Sequence, residues 1–581
     1  MKKILLLLAI SIANVSCVAQ YEEHENTRLT KKIDHYLSQG ATNGFSGAVL
    51  IAKNGKIILN KGYGLANREA QQLNTPQTVF STGSVTKQFT ATAILKLAEL
   101  NKLQLTDKIS SYFKALPEDK KEISIHQLLT HSAGLVDVIG GDFEEISTDE
   151  FFTKLFDTKL LYKPGTKHRY SNASYSVLAR IIELVSHQEY ERFLQEHLFQ
   201  PAGMQQTGYL IPKWNHTNLA QGYIRGVTHW GAMIPRFQKT KSISWNLKGN
   251  GGIQSTQEDM YKWYQALATH AILSKSSTAL LTKPYIQEQE GSDESFYAYG
   301  WAIFNSGRNT KIVTHNGSNG IFFHEFMWLP EEDAVIILST NAYSREAEVT
   351  WRLEKMLFDD KYTPKPIRKS PYFLVLDFIE KNKPSQSSEL LTLMKQELGD
   401  DFKDANVFNQ IGYMLLENKE KTDWMLQLFQ LNVQLFPSNA NLWDSLGDGY
   451  KNKGDRTNAI KAYQKALELD PTLSASQQSL AALGVAVTSN QNEVVLDAKT
   501  QQSYVGSYQL PSGHLIKILE NKGKLMIEFP GRPAMKLTPK SLVKFAIGDR
   551  SASLVFNTNK NSTVESFTIF ESGEQMTAKK K

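Results

Sequence analysis

A chain of 581 residues exceeds what one hydrophobic core usually organises, so length alone points to about two to four domains. Its composition, 41% hydrophobic and 21% charged, is that of an ordinary folded protein. The 65 Lys+Arg against 59 Asp+Glu leave only +6, and the one dense basic run is Lys579, Lys580, Lys581, so nucleic acid is not an expected partner.

The chain opens with MKKILLLLAISIANVSCVAQ, a basic start, an apolar run and then small residues, which is the anatomy of a secretory signal peptide over residues 1–19. The apolar run, about eleven residues, is too short to cross a membrane. Cleavage after Ala19 suits the small residues Cys17 and Ala19, and an exported protein, periplasmic or extracellular, is expected. The alternative is a lipoprotein anchored at Cys17, the one case in which a membrane would be a partner. A lipobox wants an aliphatic residue three positions earlier, where Asn14 stands. Cys17 is the only cysteine, so the mature chain is expected to have no disulfide framework and no thiol nucleophile. Thirteen histidines form no HExxH or HxH, and neither metal nor other cofactor is expected.

Residues 45–66 are two strand-like runs joined by Asn54-Gly55, a hairpin signal because both positions take positive φ. From Val79 to Leu100 the pattern turns helical. Three, four, seven and eleven residues beyond Ser84 stand Lys87, Gln88, Ala91 and Leu95, so serine and lysine continue a buried stripe. Tyr170-Ser-Asn172 opens a further helix, and Ser255 to Glu258 reads as a capping box. Strand-like runs return at 310–340, carrying His315-Asn-Gly317 and Ser318, followed by a helix from about 344 to 359. Strands from the two ends can close one antiparallel sheet flanked by helices, an α+β domain over 27–362. Thr363 to Tyr372, bearing prolines, reads as a linker.

Between 439 and 471 Trp443, Leu446, Gly447, Tyr450, Gly454, Ala459, Tyr463, Ala466 and Pro471 stand at tetratricopeptide spacing. Phe408, Ile411 and Gly412 echo Trp443, Leu446 and Gly447, a decayed earlier repeat, and helices over 372–399 complete an α-helical TPR-like segment at 370–485. Its aromatics read as core, with a groove for a protein partner as the alternative. The period then shortens, and 495–578 is expected to be a small all-β, barrel-like domain.

Ser84-x-x-Lys87 recurs as Ser111-x-x-Lys114 and Ser541-x-x-Lys544, so the spacing means little without its helical context. With Tyr170-x-Asn172 and His315-x-Gly317 in order, and with LLTHSAGL at 128–135 and GNGGIQSTQEDM at 249–260, the chain resembles the penicillin-recognising serine hydrolases. The branch is that of class C β-lactamases, D-alanyl-D-alanine carboxypeptidases and esterases (peptidase family S12-like). The resemblance covers roughly residues 30 to 360 and implies a β-lactamase/transpeptidase-like fold.

The chemistry stands beside the resemblance. A serine hydroxyl needs a base, and lysine or tyrosine working near pH 7 must shift by about 3 units, roughly 4 kcal/mol. Burial lowers a lysine, and a nearby ammonium favours a phenolate. Ser84 is expected as nucleophile, Lys87 and Tyr170 as the coupled base and acid, and Asn172 as the group orienting Lys87 or substrate. The resemblance places oxyanion-binding amides at Ser84 and Ser318 and His315 on the opposite wall beside Gly317. Class C β-lactamases usually carry lysine there. Histidine there resembles carboxypeptidases, D-aminopeptidases and some esterases, is mostly neutral at pH 7 and holds a carboxylate less well; with the two extra domains, a carboxypeptidase- or esterase-like hydrolase is expected over a dedicated β-lactamase. His131 reads as structural.

The expected function is an acyl-serine hydrolase cleaving a D-amino-acid peptide, a β-lactam-like amide or a small ester. The alternative is a catalytically weak penicillin- or peptidoglycan-binding scaffold or sensor acting through the TPR segment.

Overall fold

The computed structural model describes residues 27–399, 404–419, 421–486, 496–510, 515–521, 523–529, 534–548, 552–558, 563–571 and 574–581. The expected signal peptide and Cys17 lie outside the described residues. The chain divides between Ser370 and Pro371 into two units.

In the first unit an antiparallel sheet of eight strands runs in the order Lys56–Tyr63, Gly47–Lys53, Ala334–Thr340, Phe323–Leu329, Lys311–Ser318, Ala302–Asn305, Ser295–Tyr297, Ile286–Gln287. The first two strands form the expected hairpin: Lys53 pairs with Lys56, and Asn54 and Gly55 take φ of 52° and 69°. Gly47–Lys53 pairs next with Ala334–Thr340, so strands from opposite ends of the unit do close one sheet. The central strands are apolar at nearly every position because both faces are covered. Leu50 and Ala52 pack into the core shared with the helix Thr86–Glu99, whereas Val49 and Ile51 pack with Ile33 and Leu353 from the helices at 27–42 and Thr350–Phe358.

The segment Thr363 to Tyr372 is not a free tether. Ile367 is buried in that second core, its carbonyl accepts a hydrogen bond from Asn43 Nδ2 at 2.8 Å, and Tyr372 already lies in the helix Pro371–Lys381. Prolines stop regular structure here without releasing the chain.

The second unit begins with the helices Pro371–Lys381, Ser387–Leu398, Asn406–Asn418 and Thr422–Leu435. The tetratricopeptide pair Ala440–Asn452 and Arg456–Leu469 follows, and then Ser474–Ala482. A Cβ on Gly447 would overlap the Tyr463 ring and one on Gly412 the Phe429 ring, so the decayed repeat keeps the helix-on-helix approach of the intact one. Tyr463 is fully buried, but Trp443 is only partly so and donates Nε1–H to the Pro437 carbonyl at 2.8 Å. The last eight strands, Gly506–Gln509 to Glu574–Lys580, close into a barrel whose first and last strands pair at Tyr508 and Lys580. Tyr508, Ile518, Phe545, Phe556 and Phe567 fill its interior.

Candidate active site

Ser84 sits in a 3₁₀ turn, Gly83–Val85, that runs into the helix Thr86–Glu99. Two glycines make the surroundings possible. Gly83 takes φ of 50°, and a Cβ there would lie 2.7 Å from the Gly317 carbonyl carbon and 2.9 Å from Ser318 N. A Cβ on Gly317 would in turn overlap Ser84 N and Thr82 O. Strand Lys311–Ser318 can therefore lie directly on the serine turn, with the Ser318 amide beside it. Instead of a stripe, the whole helix is buried from Thr86 through Leu95, while Ser84 keeps partial exposure.

Lys87 is 0% exposed. Its Nζ donates to Asn172 Oδ1 and to the Asn250 carbonyl, both at 2.7 Å, and stands 3.2 Å from Ser84 Oγ. Burial drives its pKa well below the ordinary value of 10.5, with Asp142 pulling the other way. Asn172 reaches Lys87 because it begins the helix Asn172–Ser186, capped by Ser171, whose Oγ accepts from Ser174 N–H.

The Asn250 carbonyl and Asp142 were not among the residues read from sequence. Asn250 is delivered by the GNGG loop: Gly249, at φ of 81°, passes so close to the next helix that a Cβ would lie 2.5 Å from the Ala179 Cβ. The loop is tied to the serine turn where Gln254–Ser255 pairs with Phe80–Ser81. That pairing also corrects the expected capping box. Ser255 belongs to the strand, and the helix Gln257–Ala268 is capped one residue later by Thr256, which accepts from Asp259 N–H. The Asp259 carboxylate turns to Gln206 N–H and Thr207 Oγ1 instead.

Tyr170 is brought to the same place. Lys87 Nζ lies 4.6 Å from its ring centroid, over the ring face, and its buried hydroxyl faces Ser84 without a well-formed hydrogen bond. Burial pushes the phenol pKa up, opposed by the Ser84 hydroxyl, so the neutral form is favoured.

His315 lies beside Tyr170, with ring centroids 6.0 Å apart, but not as a free donor. Its Nδ1 lies 2.6 Å from the Asn316 carbonyl, which can only accept, so Nδ1 carries the proton. Nε2 then accepts from the Tyr297 hydroxyl at 3.0 Å. Burial and the Lys87 charge hold its pKa down at about 3, against the Asn316 carbonyl, and the ring is neutral. Tyr297, buried at the end of its strand, was also not read from sequence. The aromatic run Tyr297-Ala-Tyr299-Gly-Trp301 was the available signal.

A partly exposed serine against a buried lysine, beside an inner strand of an antiparallel sheet, defines the class of serine hydrolases that use lysine rather than histidine beside the nucleophile. Residues 29–356, more than half of the chain, match the beta-lactamase family, and the chain belongs to it. Residues 440–473 match the tetratricopeptide repeat. Among curated proteins, the putative penicillin-binding protein PbpX of Bacillus subtilis is 34% identical over 264 residues, 45% of this chain and 64% of that protein. The chain thus spans a little under two thirds of that relative. Penicillin-binding protein 4* of the same organism is 27% identical over 341 residues, 56% of this chain and 74% of that protein. Among solved structures, a penicillin-binding protein from Bacillus halodurans is 25% identical, covering 56% of this chain and 100% of that chain at a TM-score of 0.49.

Proposed function

We propose that the chain is an exported hydrolase that forms an acyl ester on Ser84 and releases it to water. The observation that carries this reading is the set of directions around Lys87 Nζ. Two of its N–H bonds are committed to the Asn172 Oδ1 and Asn250 oxygens, which leaves one tetrahedral position facing Ser84 Oγ at 3.2 Å. With burial favouring the neutral amine, that position holds the lone pair. As Ser84 Oγ attacks the substrate carbonyl, its proton passes to Lys87, and the amides of Ser84 and Ser318 receive the charge that develops on the carbonyl oxygen. Tyr170, neutral and beside Ser84, hands a proton to the departing amine or alcohol and is reprotonated from Lys87. Water then attacks the acyl ester by the same groups in reverse, freeing Ser84.

The acyl donor is an amide or a small ester, including peptides of D-amino acids. Because both ring nitrogens of His315 are occupied, that wall has no N–H to offer a terminal carboxylate. This supports an ester or amide with an uncharged leaving side over a carboxypeptidase substrate. The test is labelling of the full chain with a fluorophosphonate and a fluorescent penicillin, then turnover of p-nitrophenyl esters, D-amino-acid amides and nitrocefin. Wild type labels and turns over an ester or amide, and Ser84→Ala does neither. A wild type inert to every probe and substrate refutes the reading.

A further inference from the structure

Tyr170 is held less directly than Lys87 and Asn172: its hydroxyl faces Ser84 without a well-formed hydrogen bond, so its position depends on what holds its backbone and its ring. Both amides that flank it end on one residue. The Arg169 N–H donates to the His131 carbonyl at 2.9 Å, and the Ser171 N–H donates to His131 Nδ1 at 3.1 Å. The imidazole also lies against the phenol ring, with centroids 4.2 Å apart and planes tilted by 39°.

His131 is 0% exposed and takes φ of 54°, the left-handed conformation that is costly for a residue with a Cβ. Glycine, asparagine and histidine are the residues that adopt it most readily, and His187 and His270 do so as well, so the turn admits a histidine and what distinguishes His131 is the use made of its ring. The left-handed turn lets the carbonyl and the side chain of one residue serve the same short segment. Because Nδ1 accepts an N–H, the ring is unprotonated there. Its proton sits on Nε2, which has no partner. Burial holds its pKa well below the ordinary range, against the Ser171 interaction, so it remains an acceptor.

We infer that His131 is a positioning residue for acyl transfer: its neutral imidazole, accepting from the Ser171 N–H and lying on the Tyr170 ring, fixes the phenol against Ser84 and Lys87. The inference rests on the reading of those three residues as the reaction centre. His131 takes no proton from substrate; it determines where the Tyr170 hydroxyl stands. A displacement of about 1 Å at such a group costs about 100-fold in rate.

The experiment uses the full chain and pre-steady-state acylation by a D-alanine p-nitroanilide, whose departing amine needs the Tyr170 proton, with folding checked by circular dichroism. His131→Phe keeps a ring and removes the acceptor; its acylation rate falls by about 100-fold while KM stays within about threefold. His131→Asn suits the left-handed turn and offers Oδ1 to Ser171, and it recovers to within about tenfold of wild type. In a Tyr170→Phe background the His131→Phe penalty shrinks to less than about threefold, since one act cannot be lost twice. Where His131→Phe does not fold, the asparagine pair decides, and its penalty must vanish in the Tyr170→Phe background.

Wild-type speed in His131→Phe, equal losses in the asparagine and phenylalanine variants, or an undiminished penalty without the phenol overturns the inference while leaving Ser84 chemistry standing. A wild type that never acylates Ser84 overturns the underlying reading and the inference with it.

Discussion

The spacing S-x-x-K occurs at the helix that carries Ser84 and again in the barrel at Ser541, where it does something else. Ser541 stands in a bend and its Oγ accepts N–H bonds from Val543 and Lys544 at 3.3 and 3.0 Å. The side chain of Lys544 is 39% exposed and its Nζ lies 3.6 Å from the Asp470 carboxylate. Lys87, by contrast, is sealed from water and bonded to uncharged oxygens. Burial among neutral acceptors favours the free amine at Lys87. The reactive property therefore resides in the surroundings of the amine, and four letters of spacing do not carry it.

Four substitutions, two at each serine–lysine pair, test the contrast. Ser84→Ala lowers acylation by at least about 10⁴-fold, read by stopped-flow with an activated ester, while Ser541→Ala leaves it unchanged. Lys87→Met follows with a loss of about 10² to 10⁴-fold, the usual worth of a positioned base. Lys544→Met changes the rate less than twofold, and stability by no more than about 1 kcal/mol in urea unfolding.

Asn172→Asp converts one environment towards the other. A carboxylate beside Lys87 raises its pKa by about 1 to 3 units, so the acid limb of the pH–rate profile moves up by that amount and the rate at pH 7 falls accordingly. An unmoved limb would mean that Lys87 is not the group being titrated.

The smallest effect is thermodynamic. Between the lowered folded pKa of Lys87 and its ordinary 10.5, the unfolded chain holds a proton that the folded chain does not, so lowering the pH destabilises the fold through this group. The stability of Lys87→Met relative to wild type therefore increases as pH drops from 10 to 7, whatever constant offset the lost hydrogen bonds impose. Urea unfolding of both proteins at each pH measures it.

Much of this was legible in the residues. Asn54-Gly55 announced the hairpin because only certain residues take its φ angles, and Gly447 marked a helix crossing that admits no Cβ. Ser84, Lys87, Tyr170, Asn172, His315, Gly317 and Ser318 could be proposed as one set from their order. Three partners were hidden for separate physical reasons. The Asn250 oxygen is a backbone carbonyl, which no residue type advertises, and only the path of the glycine loop aims it at Lys87. Tyr297 meets His315 through pairing across strands distant in sequence, and Asp142 acts through space from a loop. The cap moved from Ser255 to Thr256 because strand pairing claimed the serine first. A helix buried on all sides also has no polar face, so a stripe was the wrong expectation for Thr86–Glu99.

The most direct test of the central claim is the intact mass of the full chain mixed with an activated ester across pH, with the modified peptide mapped. One acyl group is expected on the Ser84 peptide, formed faster as pH rises through the Lys87 pKa and lost again on standing, with slow, shallow acylation in Lys87→Met. Acyl groups scattered over surface lysines with Ser84 untouched, or equal Ser84 acylation with and without Lys87, would contradict it.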